Sequence, residues 1–552
     1  MERLEKFIQK IENWEISFWQ IFFLFFANFF LRTFFENLTN SSNINRINGL
    51  TDTLFHYPLW YFGVFLSVIL IFYFLTRVNI LKIARVVAVF SFIIFLPPLI
   101  DMVVYWGRGH VYNFIIGGYT ELLHYFLSVL VLANAISLGI KIEIILSVIL
   151  GGIYVFLKTT NLFRAVVGSF LIYSAIFLFL TAPVHMMALY QKTMGYSEII
   201  NTQNISKFYL ISDQYNSRTN FRTSVFDQNN FESLSLQTAK NRYSETLVMF
   251  FLICDLIIIS LLYFLSRPSH FLEIVKNFRP TRIIHYFFLT GLGVYLGWIF
   301  SGNTKLIGSL YDLLSFISLF LAILFAWLFA VWENDEVDKE IDEISSPGRP
   351  LVNGVFEKTE WRDIKFVFLL FALSFAWLAG FYVFTFIVVY ILVYHIYSTP
   401  PLRLKRFFGI SSLVIAINAL LAVWAGFFLF SRTENLRDFP PKYSFGLLII
   451  YLLAENVKNL KDIEGDCLAG IKTLPVLLGK KRGKLLVGVM VFGASLLAPV
   501  IFFLNWLTFL TAAIFGAILF LLINRQQYSE TPVFLVYFIF AVALVLELIL
   551  GQ

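Results

Sequence analysis

Residues 307–342 read IGSLYDLLSFISLFLAILFAWLFAVWENDEVDKEID, an apolar run that ends in a carboxylate cluster. The run through Trp332 is long enough to cross a bilayer as a helix. On that helix Asn334, Asp338 and Asp342 stand at i, i+4 and i+8 and share one face. Asp462 and Asp466, within Lys461-Asp462-Ile463-Glu464-Gly465-Asp466, repeat the spacing later in the chain. At roughly 6 Å and an effective dielectric of about 20, two unit charges repel by about 3 kcal/mol, so carboxylates stacked around one cavity need a cation. Hard oxygen donors of this kind suit Mg2+, which takes a few carboxylates together with the oxygens of a substrate phosphate. Both clusters follow apolar spans, where helix-dipole compensation would favour the opposite charge. Asp335, Glu340 and Glu464 fall off the shared face and read as supporting or solvated charges.

Outward from this stretch the composition fixes the setting. With 59% hydrophobic and 14% charged residues, the chain is dominated by continuous apolar runs of membrane-spanning length. That pattern predicts an all-α multi-pass membrane protein, and it excludes a transmembrane β-barrel, which would show short alternating segments. Two cysteines, Cys254 and Cys467, exclude a disulfide framework or a cysteine-rich metal site. A net charge of +7 is modest for this length and argues against a nucleic-acid partner.

Residues 268–552 hold nine apolar spans, at 283–300, 307–332, 364–378, 379–397, 407–430, 443–458, 485–504, 506–524 and 531–550. Three basic groups fall on one side of them: Arg267, Lys276, Arg279 and Arg282; Arg403, Lys405 and Arg406; and Lys472, Lys480, Lys481, Arg482 and Lys484. Positive residues collect on the cytoplasmic side, so both carboxylate clusters are expected there.

Residues 1–266 form a separate helical membrane region of six or seven spans, near 17–35, 57–76, 87–105, 118–138, 142–157, 163–186 and 246–266, with a polar stretch at 187–245. Residues 1–16 place Leu4, Phe7, Ile8, Ile11 and Trp14 on one stripe, the pattern of a helix lying at the interface. No small-residue cleavage site follows the first apolar run, which argues against a removable signal peptide. Sequons at Asn37, Asn40 and Asn204 would place two loops outside, yet five spans lie between them. Either 142–157, short and interrupted by Gly151 and Gly152, is re-entrant, or the sequons are fortuitous. Asp101, Glu121, His124, His185 and Asp255 lie within these spans and are expensive in lipid, but no spacing ties them into a site.

Four motifs of the second half occur in one order. Arg279-Pro280 precedes the first span, and the Asn334, Asp338, Asp342 face leads into Pro347-Gly348-Arg349-Pro350-Leu351. Tyr397-Ser398-Thr399-Pro400-Pro401-Leu402-Arg403-Leu404-Lys405-Arg406 closes the fourth span, and the Asp462, Asp466 motif, with Gly470 and Thr473-Leu474-Pro475 behind it, follows the sixth. In these motifs residues 270–552 resemble the UbiA superfamily of intramembrane prenyltransferases.

The resemblance implies a nine-helix prenyltransferase bundle that moves a polyprenyl group from a polyprenyl diphosphate to a lipophilic acceptor within the membrane lipid. It implies Mg2+ held by Asn334, Asp338, Asp342, Asp462 and Asp466, with the aspartates as the catalytic set. Charge-assisted contacts to the diphosphate are expected from Arg349, Arg403 and Lys405, then from Lys458, Lys461 and the motif tyrosine Tyr397. The Ile-Asp-x-Ile-x-x-Pro-x-Arg-Pro form at Ile341–Pro350 lacks the Arg-Thr pair of members that prenylate 4-hydroxybenzoate or haem, and leans towards a prenylglyceryl phosphate or quinone-type acceptor. Val352-Asn353-Gly354, Glu336-Val337 and Cys467-Leu468 depart from the common pattern and leave the acceptor open. An alternative assigns the first half to a fused lipid transporter or lipid-binding module. A catalytically silent lipid-binding protein is the third reading, and the filled aspartate positions argue against it.

Overall fold

The computed structural model of the protein describes residues 2–39, 55–104, 122–128, 136–183, 185–186, 228–302, 306–307, 310–407, 409–431, 435–461, 463, 467, 473–502 and 504–550. Regular structure among these residues is helical throughout, and 13 helical segments are long and apolar enough to cross a membrane. The chain is a multi-pass α-helical membrane protein. It divides into two compact units, residues 1–269 with 307–314, and residues 270–306 with 315–552.

The first unit contains α1 (Glu2–Glu12), α2 (Phe18–Thr39), α3 (Tyr57–Thr76), α4 (Ile80–Phe90), α5 (Leu96–Val104), α6 (Leu122–Ser128), α7 (Leu138–Thr159), α8 (Leu162–Leu180) and α9 (Gln228–Ser266). Its core, built on Val64, Phe72, Ile83, Ile144, Tyr154, Val155 and Ile172, lies where α3, α4, α7 and α8 meet. Helix α7 is not the short, interrupted segment expected from 142–157. It runs for 22 residues from an Ser137 cap, whose hydroxyl accepts from the Ile140 N–H, and it is long enough to span. Gly151 and Gly152 do not break it, because their missing side chains make room for Ile172 and for the Ser169 hydroxyl on α8. Helix α1 buries Ile8, Ile11 and Glu12 and leaves Leu4 and Phe7 exposed, as is Trp14 just past its end, so the expected stripe is split between two environments. From Gln228 onward the stretch read as a polar loop is the N-terminal part of α9. Glu121, Asn40, Asn204 and residues 187–227 lie outside the described residues.

The second unit contains α10 (Pro268–Lys276) and then the nine helices anticipated: α11 (Pro280–Ser301), α12 (Leu310–Val337), α13 (Lys339–Ser345) as a short continuation, α14 (Lys358–Ala379), α15 (Phe381–Ser398), α16 (Ile410–Phe430), α17 (Pro441–Ala454), α18 (Leu474–Leu478) as a short turn, α19 (Lys480–Phe502), α20 (Trp506–Ile523) and α21 (Glu530–Leu550). Apolarity does not distinguish these helices, but burial does. In α12 and α16, 72% of the membrane-length stretch is buried, against 11% in α21, so α12 and α16 form the centre. Helix α11 lies against α16 at backbone distance. A side chain at Gly293 or Gly297 would strike the carbonyls of Val423 and Phe427, the small-residue contact that membrane helices use in place of hydrophobic drive. Trp332 stacks on Trp361 at 4.7 Å, and the Trp361 indole donates to the Trp332 carbonyl at 3.1 Å, which ties α12 to α14.

Candidate active site

Helix α12 carries its register past its own end. Asp338, at φ −95° and ψ 10°, leaves the helix for one residue before α13 resumes. The Asp338 N–H still donates to the Asn334 carbonyl at 2.9 Å, and the Asp342 N–H to the Asp338 carbonyl at 2.8 Å, so the four-residue spacing survives the break. Asn334, Asp338 and Asp342 line one cavity of about 340 Å3, together with Arg349, Tyr397, Lys405 and Lys458. Both aspartates are buried.

Each of these groups meets cations or donors from other elements. Lys405 donates to Asn334 Oδ1 at 3.2 Å and to the Asp338 carboxylate, and Arg403 Nη2 donates to Asp338 Oδ1 at 2.7 Å. Ser398 Oγ donates to Asn334 Oδ1 at 3.2 Å. Arg349 bridges Asp342 and Asp335, reaching Asp335 Oδ1 at 2.9 Å. Lys458 pairs with Glu455 and donates to the Tyr397 hydroxyl at 3.1 Å. Lys461 is exposed and stands outside the cavity lining. Asp462, Glu464 and Asp466 lie outside the described residues.

Asp335 is not the solvated charge that the helical wheel suggests. It is 1% exposed and accepts from Asn277 Nδ2 at 3.1 Å, Arg279 Nη2 at 2.5 Å and Arg349 Nη1. Arg279 and Arg403 are both non-glycine residues with left-handed backbones, at φ 52° and 41°. That conformation costs roughly 1 kcal/mol or more per residue, and here each strained arginine is the one that reaches an aspartate. Glu340, by contrast, is exposed. The Arg279-Pro280 pair was the visible signal of the Asp335 contact; Asn277 gave none.

Burial pushes the Asp342 carboxyl up to about 7, with Arg349 opposing the shift and Asp335 and Asp338 adding to it. Burial also lowers Lys405, against the pull of Asp338. The three carboxylates Asp335, Asp338 and Asp342 face the four cations Arg279, Arg349, Arg403 and Lys405, an excess of positive charge suited to a polyanion. Among the described residues no three His, Cys, Asp or Glu side chains converge as a complete metal site. The donors that are present, an amide oxygen and two carboxylates on a cavity wall, fit a hard divalent cation that would complete its shell with a ligand's oxygens and with further carboxylates.

The rest of the cavity wall is aromatic. Tyr286 and Tyr394 share a hydroxyl–hydroxyl hydrogen bond of 2.5 Å, and Trp327 packs 5.3 Å from Tyr286. His285, Tyr451, Phe534 and Tyr537 line the same space.

The UbiA prenyltransferase family matches residues 306–543, and the N-terminal half matches no family. The digeranylgeranylglyceryl phosphate synthase of Sulfurisphaera tokodaii is 26% identical over 212 residues, which is 38% of this chain and 72% of that relative. The homogentisate phytyltransferase of Synechocystis sp. is 31% identical over 169 residues, 29% of this chain and 54% of the relative. The glycinol 4-dimethylallyltransferase of Glycine max is 28% identical, with 39% of this chain and 56% of the relative covered. For two of these three, the chain spans little more than half of the relative's length. A UbiA homologue from Archaeoglobus fulgidus, solved bound to GPP and Mg2+, aligns with 50% of this chain and 98% of its own at 19% identity and a TM-score of 0.40. In residues 306–543 the chain belongs to the UbiA prenyltransferase family.

Proposed function

We propose that residues 268–552 form a Mg2+-dependent membrane prenyltransferase that moves a polyprenyl group from its diphosphate to a lipophilic acceptor of the prenylglyceryl phosphate or quinone-precursor type. The carrying observation is convergence: Asn334, Asp338 and Asp342, with Arg349 and Lys405, meet on one cavity whose remaining wall is aromatic. The names of the relatives, which include a digeranylgeranylglyceryl phosphate synthase and a homogentisate phytyltransferase, support both acceptor types.

In this reading Arg349, Arg403 and Lys405 swing part of their hydrogen bonding from the carboxylates to the diphosphate oxygens and hold the leaving group. Lys458, already donating to Tyr397 at the cavity wall, adds a further contact. Held by Asn334, Asp338 and Asp342 together with Asp462 and Asp466, Mg2+ supplies Lewis-acid neutralisation of the diphosphate. Tyr286, Trp327 and Tyr394 present ring faces and edges to the allylic carbon as positive charge develops on it, and they exclude water from it. The prenyl tail lies along the apolar wall. The basic groups that flank α11, α15 and α19 support a cytoplasmic position for the carboxylate side.

The test uses purified full-length protein with Mg2+, geranylgeranyl diphosphate and a panel of acceptors, following diphosphate release and product mass. Metal-dependent release with a single prenylated mass is the expected result, abolished by EDTA. Release that persists in EDTA, or no transfer to any acceptor despite tight diphosphate binding, would overturn the reading.

A further inference from the structure

Transfer to a hydroxyl-bearing acceptor needs a group to take a proton, and the described carboxylates of the site are each already held by a cation. Asp335, Asp338 and Asp342 are each held by arginine or lysine, and Glu455, which also lines the cavity, is held by Lys458. His285 is the one imidazole among the described residues of the cavity wall. It is half-buried on α11, and its Nδ1 lies 2.9 Å from the Tyr537 hydroxyl. Tyr451 meets its ring edge-on at 5.5 Å, and Tyr537 packs 5.4 Å away. No described residue bonds its second nitrogen, Nε2.

The ionisable surroundings are few. On α11 itself, Arg282 lies one turn before, and Tyr286 follows and bonds Tyr394. Tyr451 faces the ring from α17, and Tyr537 faces it from α21. Glu530, at the start of α21, is 3.3 Å from Arg282. No carboxylate among the described residues bonds the imidazole, and the Tyr537 hydroxyl is its one described hydrogen-bond partner.

Resting on the transferase reading above, we propose that His285 is the proton acceptor for the acceptor substrate's hydroxyl, with Tyr537 as its positioning residue. With Nδ1–H donating to Tyr537, Nε2 presents its lone pair to the cavity. The acceptor O–H bond breaks and its proton moves to Nε2. The freed electron pair forms the new bond to the prenyl C1, from oxygen for an alcohol or from the conjugated ring carbon for a phenol. The C1–O bond of the prenyl diphosphate breaks as this bond forms, and its pair leaves with the diphosphate. For a phenol, the ring C–H proton is then lost to solvent and the oxygen recovers its proton from His285. The shared chemistry is a hydroxyl, which either a phenolic quinone precursor or a glycerol-type lipid alcohol supplies.

The experiment compares wild type, His285→Asn and His285→Ala in the full-length protein, with one phenolic acceptor and one prenylglyceryl phosphate. Asparagine keeps a polar group within reach of Tyr537 and removes Nε2, so it separates proton transfer from simple support. Two readouts are taken: kcat at saturating acceptor across pH, and Mg2+-dependent binding of a non-reacting prenyl thiodiphosphate. The expected result is a fall in kcat of about 100-fold or more in both variants, the size typical of a lost general base. The limb of the wild-type pH profile that rises with pH should vanish, thiodiphosphate affinity should stay within twofold, and added imidazole should partly restore His285→Ala. The acceptor that wild type uses identifies the source of the hydroxyl. Either variant within threefold of wild type, with the pH limb intact, would overturn the role of His285 while leaving the transferase reading standing. Loss of thiodiphosphate binding in both variants would overturn it in favour of a structural role. Wild type that transfers to neither acceptor would remove both readings together.

Discussion

The two units bury charge in opposite ways. In the first, the buried polar groups that find partners do so in small, separate pairings. Glu12 takes Lys158 at 2.8 Å and the Tyr154 hydroxyl at 3.0 Å, Asp101 caps α7 by accepting from the Gly139 N–H at 3.0 Å, and Asn28 donates to Ser91 at 2.7 Å. His185, one of the intramembrane candidates, bonds Thr181 one turn away, and His124 is exposed on α6. In the second unit, three carboxylates share four cations across a cavity wall, and single residues such as Arg349 serve two carboxylates at once. An ionisable residue in a membrane span is therefore not by itself a site. What distinguishes the second unit is that its charges converge, with oxygens and cations facing a common space that a ligand can enter.

The sharpest way to break that contrast is Asp338→Asn. If Asp338 holds the metal while Lys405 and Arg403 wait for phosphate, turnover should fall by about 1,000-fold or more, with the protein still monodisperse in detergent. Asp466→Asn should do the same. Diphosphate release within tenfold of wild type in both would return the cluster to a structural ion-pair network. Next in size are Arg349→Gln and Lys405→Met, each removing one donor that the proposed function assigns to the leaving group. Losses of about 100-fold in kcat are expected, and a measured change confined to KM would show ground-state binding only.

Much of this was legible in the sequence because apolar length and i, i+4 spacing are local properties. The nine helices of the second unit and the Asn334, Asp338, Asp342 face both follow from them. What escaped was tertiary. Asp335 looked peripheral because a helical wheel assumes one buried face, whereas α12 is enclosed on most sides and its off-face carboxylate meets Arg279 and Arg349 from elsewhere in the chain. Helix α7 looked short and interrupted because of Gly151 and Gly152, yet it starts at Leu138 and those glycines make room for Ile172 and Ser169 without breaking it. The one-residue break at Asp338 leaves no trace in composition, since the spacing is preserved across it.

Smaller effects belong to the first unit. Glu12→Gln leaves Lys158, with 12% of its side chain exposed, without its counter-charge, and should lower stability by about 3 kcal/mol, read as the thermal midpoint in detergent. Turnover measured well below that midpoint should stay within twofold, because the pair serves packing and not the transferase cavity. A tenfold loss would show that the first unit takes part in catalysis.

Asp255 makes the finest test. It is 1% exposed on α9, its two carboxyl oxygens have no hydrogen-bond partner, and Gly63 leaves it room, since a side chain there would come within 2.6 Å of Oδ1. A carboxyl that gains nothing from its surroundings loses nothing when an amide of the same shape replaces it. Asp255→Asn should therefore shift stability by less than about 1 kcal/mol and leave turnover unchanged. Gly63→Ala should cost more, because it drives a methyl group against Asp255 and Phe179. If Asp255→Asn instead reduced transfer tenfold with the midpoint held, the first unit would carry a working carboxylate of its own, and the division between scaffold and site would have to be redrawn inside it.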